Sequence, residues 1–264
     1  NSFFSGDRNP SELFNGVKIR AGIYIVCKHA SKQKYTSKYI KYYTSERPIL
    51  FSKINYISTS SHNMTPKLNG KLGKSIIIKM NNAKKMLSSE FVDETYIYYH
   101  AAPISWCKAL LSLDGLVKQN LNIADSYKKR EITYAYKDYT FLLLNSTLFF
   151  YYWIVNSDCY NLTKKNISEI KVSNSIQMDF CAINSLANRL NSDLFKHIIT
   201  TEYSYKNRGI VKFAQFYPSK SKPIIDEIDK LLAKHYGFTE EELDFIINYD
   251  IKYRMGDELN KDEE

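Results

Sequence analysis

The chain has 264 residues, 44% of them hydrophobic, enough to build one large globular domain or two smaller ones. Cys27, Cys107, Cys159 and Cys181 lie far apart without a C-x-x-C pair, which excludes the common zinc and redox motifs and fits reduced thiols. The formal net charge of +9 is unevenly placed: residues 239–264 hold ten Asp/Glu against three Lys/Arg, leaving about +16 on residues 1–238, so the body is suited to a polyanionic partner.

Residues 1–12 read as loop, with Gly6, Asp7, Asn9 and Pro10 as turn chemistry; the opening residues lack a signal peptide's basic flank and apolar core, and no Met opens the chain, so a piece with its natural start upstream is expected. Val17 to Val26 alternates and is rich in β-branched residues, Lys34 to Tyr43 alternates again, and together they predict a hairpin. Ile49 to Ile57 is a short apolar segment after Arg47 and Pro48. From Ser58 to Lys74 the composition shifts to polar residues broken by Pro66, Gly70 and Gly73, which places a domain boundary there. Ser75 to Met80 is strand or helix, Thr95 to His100 reads as a strand, and Ile104 to Leu113 is an apolar segment carrying Trp106. Lys128, Lys129 and Arg130 predict an exposed basic loop beside a sheet, or simply a solvated loop, before Ile132 to Tyr136 returns to strand-like alternation.

The stretch from Tyr139 to Val155 leaves almost no polar face, which predicts a central helix covered by other elements on most sides. Its roughly 17 residues, interrupted by Asn145, Ser146 and Thr147, fall short of the ~20 a membrane span needs. Helix-start chemistry at Asn161 or Thr163, followed by Lys164, Lys165 and Asn166, predicts either a phosphate contact or a capped surface turn. An amphipathic helix follows from Phe180 to Ile199, then a loop bearing Tyr203, Tyr205, Lys206, Asn207 and Arg208. Ile224, Ile225, Ile228, Leu231 and Leu232 at helical spacing, Gly237 as a stop, and Thr239 with Glu242 as a capping box predict a closing helical hairpin ahead of a frayed acidic tail.

No G-x-G-x-x-G, P-loop or H-E-x-x-H is present, and His29, His62, His100, His197 and His235 are scattered. Asp158, Glu169 and Lys171 match a loose D…E-x-K pattern that metal-dependent nucleases use, but it is common by chance and no complete catalytic set accompanies it.

Three segments, in order, resemble the C-terminal part of adenine-specific DNA methyltransferases and the related type IIG restriction-modification enzymes. They are ELFNGVKIRAGIYIV (Glu12 to Val26), like that family's eighth conserved motif; LLNSTLFFYYWIVNSDCYNLTKKNI, like the helix and loop of its target-recognition domain; and IIDEIDKLLAKHYGFTEEELDFIINYDIKYRMG at the end. The resemblance implies an α+β chain. Residues 1–57 would be the β-hairpin end of a Rossmann-like methyltransferase domain, 58–216 a mixed α/β target-recognition domain, 217–256 a helical hairpin and 257–264 the acidic tail. S-adenosylmethionine and the NPPY-type motif would belong to an upstream domain, so this chain would hold no cofactor and no catalytic residue. Phe14 would stack on the flipped adenine, or anchor the hairpin as a core residue. Arg20 would contact a phosphate or serve as a salt-bridged scaffold residue. Lys128, Lys129, Arg130, Asn161, Thr163, Lys164, Lys165 and Asn166 would contact DNA, with Tyr205, Lys206 and Arg208 alongside Tyr203 as a second cluster. Expected partners are duplex DNA and the upstream domain, without membrane or metal, in a cytoplasmic, DNA-associated setting. The rival expectation is a non-enzymatic RNA-binding or protein-docking module.

Overall fold

The computed structural model describes residues 2–5, 21–25, 34–42, 44–59, 65–172, 179–207 and 209–255. Among these the fold is α+β, small sheets and further helices surrounding two central helices. Ser2–Ser5 (β1) pairs antiparallel with Ala21–Gly22 (β2). Lys34–Thr36 (β3) and Tyr39–Tyr42 (β4) are separate strands, and β4 lies parallel to β1 on its other edge. The predicted hairpin therefore does not form in the described residues: the segment read as loop, β1, lies between its two arms. A four-residue strand has too few positions to show alternation, so its pairing was hidden in the sequence. After a 3-10 segment, Thr44–Lys53, Ile57–Thr59 (β5) takes β3 as an antiparallel partner.

Gly70–Asn82 (α1) settles the ambiguous run at Ser75 to Met80 as helix, burying Ile76, Ile77 and Met80 on one face. Lys85–Met86 (β6) follows, then Thr95–His100 (β7), the predicted strand, in which Thr95, Ile97 and Tyr99 are buried and the intervening residues only partly so. Ala109–Leu110 (β8) pairs with one edge of β7; after Asp114–Lys118 (α2), Tyr127–Ile132 (β9) pairs with the other. Lys128, Lys129 and Arg130 thus lie in a strand, not in a loop. It is an edge strand, where charges keep the open side from pairing with other chains. That strand ends at Ile132, and Tyr134 already belongs to the next helix, so the expected strand from Ile132 to Tyr136 is corrected.

Tyr139 to Val155 is buried throughout, as its sequence required, but forms two helices, Tyr134–Asn145 (α3) and Thr147–Asn156 (α4). Ser146 adopts extended backbone, φ −74° and ψ 156°, and its side chain accepts from Phe149 N–H at 2.9 Å, capping α4. Asp229 completes the cap from a distant helix: its carboxylate accepts from Leu148 N–H at 3.0 Å and Thr147 N–H at 3.3 Å.

Lys164–Ser168 (α5) and Lys171–Val172 (β10) lead to Phe180–Lys196 (α6), the predicted amphipathic helix. Ile199–Tyr205 (β11) and Gly209–Gln215 (β12) form a seven-residue antiparallel ribbon. The expected loop therefore keeps only Lys206 and Asn207 in a turn, while Tyr203 and Tyr205 lie in strand; position 208 itself lies outside the described residues. Lys222–Tyr236 (α7), Glu240–Ile247 (α8) and the short Ile251–Arg254 (α9) close the fold, with Gly237 at φ 67° ending α7 and Thr239 and Glu242 forming the capping box that opens α8. Glu242 also accepts from Ser75 at 2.7 Å and pairs with Lys79 at 2.6 Å, fastening α8 to α1. Arg254 is buried over the Phe150 ring, 4.7 Å from its centroid, and donates to Ser105 O at 3.0 Å. No helix among the described residues is long and apolar enough to cross a membrane.

Burial lifts the Asp229 carboxyl from 3.8 to about 6, against the opposing pull of Leu148 N–H, Thr147 and Arg254. The folded chain therefore holds this proton more tightly than the unfolded chain does. The stability it contributes is full below about pH 3.8 and lost as pH rises through about 6. Relative to Asp229→Asn, the native chain should gain about 1 kcal/mol between pH 7 and pH 5 in chemical denaturation. A constant difference between the two chains would contradict this role.

Candidate nucleic-acid interface

The described residues predicted to contact DNA lie on a strip of three adjoining elements, the ribbon, β9 and the start of α5. At one end the ribbon is anchored by Asn122, whose N–H donates to Lys212 O at 2.7 Å and whose Oδ1 accepts from Lys212 N–H at 3.0 Å. Beyond that anchor most of both strands is exposed, including Tyr203, Tyr205 and Ile210. Gly209, φ 68°, supplies the left-handed backbone that the turn needs. Charge on the strands is partly matched, Lys212 pairing with Glu202 at 2.6 Å, whereas Lys206 stands exposed at the tip.

The base of the ribbon and Tyr127, the first residue of β9, face a common cavity, so the basic strand begins where the ribbon is rooted. Its six residues span roughly 20 Å at strand rise. Lys128 donates to Asp125 O at 3.0 Å, and the Lys129 ammonium sits 3.2 Å from the centre of the Tyr96 ring. Arg130 is the least exposed of the three: its guanidinium stacks 3.7 Å from the Phe91 ring centre and donates to Ser168 Oγ at 3.1 Å. That bond ties the sheet to α5. Arg130 is thus better placed to position the strip than to meet a ligand, whereas Lys128 and Lys129 keep exposed side chains.

At the far end, Thr163 caps α5 and Asn166 closes the box. Asn166 Oδ1 accepts from Thr163 N–H at 2.9 Å and from its hydroxyl at 2.8 Å, and Thr163 Oγ1 accepts from Asn166 N–H at 3.3 Å. With its oxygen so engaged, Asn166 is a poor bidentate reader of adenine, which needs both amide atoms. Asn161, exposed and with its carbonyl held by Trp153 Nε1 at 3.3 Å, keeps its side-chain amide at the surface. Lys164 and Lys165 are exposed, Lys165 lying 3.7 Å from Glu169 in a solvent-screened pair.

Thr163, Lys165 and Asn166 line a cleft of about 440 Å³ with Asp158, Glu169 and Lys67. Lys67 donates to Val155 O and Ser157 O at the end of α4, so it serves as a helix C-terminal cap; burial lowers its pKa. Of the three residues of the loose nuclease pattern, Asp158 and Glu169 line this cleft and Lys171 does not. Asp158 accepts from Tyr160 N–H at 2.9 Å, Glu169 faces Lys165, and Lys171 donates to Asn81 O at 2.7 Å. Among the described residues no group of three or more His, Cys, Asp or Glu is placed to hold a metal ion. Phe14, Arg20 and Arg208 lie outside the described residues.

Sequence reasoning missed the ribbon as an element, and Lys108 beneath it. The ribbon's only signal was a pair of β-rich runs, Ile199 to Tyr205 and Gly209 to Gln215, separated by a Lys-Asn-Arg turn. Comparison with family models, curated proteins and solved structures returned no match to this chain.

Proposed function

We propose that this chain supplies duplex-DNA recognition to an adenine-N6 DNA methyltransferase whose upstream domain holds S-adenosylmethionine and performs the methyl transfer. In that reading the first strands belong to the end of a Rossmann-like domain, and the body from about residue 58 is the target-recognition domain. This chain has no assigned catalytic residue; its work is to choose the sequence. The observation that carries the reading is the ribbon. A two-stranded antiparallel ribbon fits the major groove of B-DNA, which admits an α-helix or a β-ribbon and nothing much wider. An exposed hairpin is only marginally stable alone, so a partner that covers both faces accounts for its length. Behind it, the exposed Lys128, Lys129, Lys164 and Lys165 are suited to neutralising a backbone while the ribbon and Asn161 address base edges.

The exposed Tyr203 and Tyr205 favour one rival, stacking of unpaired bases as in an RNA-binding module. Competition separates the two. A labelled random duplex bound by the full chain should be displaced by unlabelled duplex and not by equal masses of single-stranded RNA. Its affinity should fall about a hundredfold between 50 and 200 mM salt if roughly four phosphates are neutralised. Preferential displacement by single strands would replace this reading with the rival.

A further inference from the structure

Between the β8–β7–β9 sheet and the root of the ribbon lies a cavity in two lobes, about 220 Å³ and 460 Å³, sharing His100, Lys108, Tyr203, Phe213 and Ala214 as wall. Among the described residues, Lys108 is the only one on either wall with a formal charge, and no carboxylate joins it. Its ammonium lies 5.2 Å from the centre of the Tyr127 ring and 4.9 Å from that of Phe216; no ion pair or side-chain hydrogen bond to it forms among the described residues. Its backbone is fixed, since Lys108 O accepts from His100 N–H at 2.8 Å and the next residue, Ala109, is held on both sides by Asn145. A lysine enclosed in this way is ordinarily paired with an acid. Burial depresses its pKa to about 8, so it carries its proton at neutral pH while lacking a counter-ion.

His100 cannot take that part. Its Nδ1 accepts from Ala102 N–H at 3.3 Å, its Nε2 lies 2.6 Å from Ser126 Oγ, and burial together with the Lys108 charge holds its pKa down to about 4. It is a neutral wall whose two nitrogens are already used. The walls also carry aromatic rings, with Trp106 in the larger lobe and Tyr203 and Phe213 forming an edge-to-face pair at 6.0 Å.

We propose that this cavity binds a small aryl monocarboxylate, its carboxylate on the Lys108 ammonium and its ring against Tyr203 and Phe213. One half-buried cation neutralises one negative charge; a phosphate dianion would keep a second charge uncompensated beside aromatic walls, at a cost. An uncharged aromatic would leave the ammonium as it stands. The cavity lies at the root of the ribbon and shares Tyr203 with the DNA-binding strip, but the proposal holds whether or not that reading does.

Calorimetric titration of the full chain with benzoate, phenyl phosphate and benzyl alcohol tests it. Benzoate should bind saturably with one site, at least about tenfold more tightly than either of the other two. Lys108→Met should abolish benzoate binding with the circular dichroism of the native chain retained. Tyr203→Ala, at a half-exposed position that folding does not need, should weaken it about tenfold. Absence of saturable benzoate binding to the native chain overturns the proposal, as does benzyl alcohol or phenyl phosphate binding as tightly as benzoate. Undiminished binding to a folded Lys108→Met chain would equally overturn it and leave Lys108 as a lysine held only by its two aromatic neighbours.

Discussion

Asn145→Leu is expected to cost about 3 kcal/mol in chemical denaturation, lowering the folding equilibrium more than a hundredfold although the two side chains are similar in volume. Asn145 is fully buried where α3 ends. Its amide donates to Ala109 O at 3.2 Å and Phe141 O at 2.8 Å, and its oxygen accepts from Ala109 N–H at 3.1 Å, so it serves Ala109 as a strand partner would. Leucine leaves the Ala109 N–H and C=O buried without that partner. Each unsatisfied group costs about 1–3 kcal/mol, and the better transfer of leucine recovers only part of it. By contrast Asn166→Leu, which removes an exposed capping box, should cost only about 1 kcal/mol. Equal losses at the two positions would show that Asn145 does not organise the break between α3 and α4.

Shortening the ribbon should have the other large effect. Lys212 turns its backbone groups to Asn122, so the next pair, Tyr203 and Val211, is the one bonded across the ribbon, and residues 204–210 can be replaced by Asn-Gly, the two-residue loop that matches strand twist. The root survives, because both Asn122 bonds go to Lys212. Stability should change little, since the residues removed are largely exposed, whereas affinity for a preferred duplex should fall about a hundredfold, the equivalent of about two base contacts. Equal affinity in filter binding would leave the ribbon without a role in DNA recognition.

What the sequence made legible is what burial dictates. The continuous apolar run from Tyr139 to Val155 announced a covered helical centre, and Asn145, Ser146 and Thr147 marked its interruption. The caps at Gly237 and at Thr239 with Glu242 are local chemistry, and they fall where the residues put them. Elements without a buried face were harder to read. In β11 the alternation of Thr200, Glu202 and Ser204 with Thr201, Tyr203 and Tyr205 separates no apolar from polar side, because neither side is covered. In β9 three consecutive cations hide a strand that only Tyr127 and Ile132 attach to the core cluster. The short strand β1 could not be found by period at all, so β4, which lies within the alternating run Lys34 to Tyr43, was given the wrong partner. Lys108 stands within the apolar segment from Ile104 to Leu113 and nothing beside it in sequence marks its setting; its partial enclosure arises from the ribbon and from Tyr127, which the chain brings together from far along its length. Likewise Arg130 reads as one of three equivalent cations, yet its stacking on Phe91 and bond to Ser168 make it the joint between the sheet and α5.

Selection of random duplex DNA on the purified chain at moderate salt, run side by side with the ribbon-shortened chain and followed by sequencing of what each retains, tests the central claim most directly. The native chain should retain duplexes sharing a short consensus that contains adenine, and the shortened chain should lose that consensus while keeping weak, salt-sensitive retention through its lysines. Retention by the native chain without any consensus, or the same consensus from both chains, would contradict sequence recognition by the ribbon.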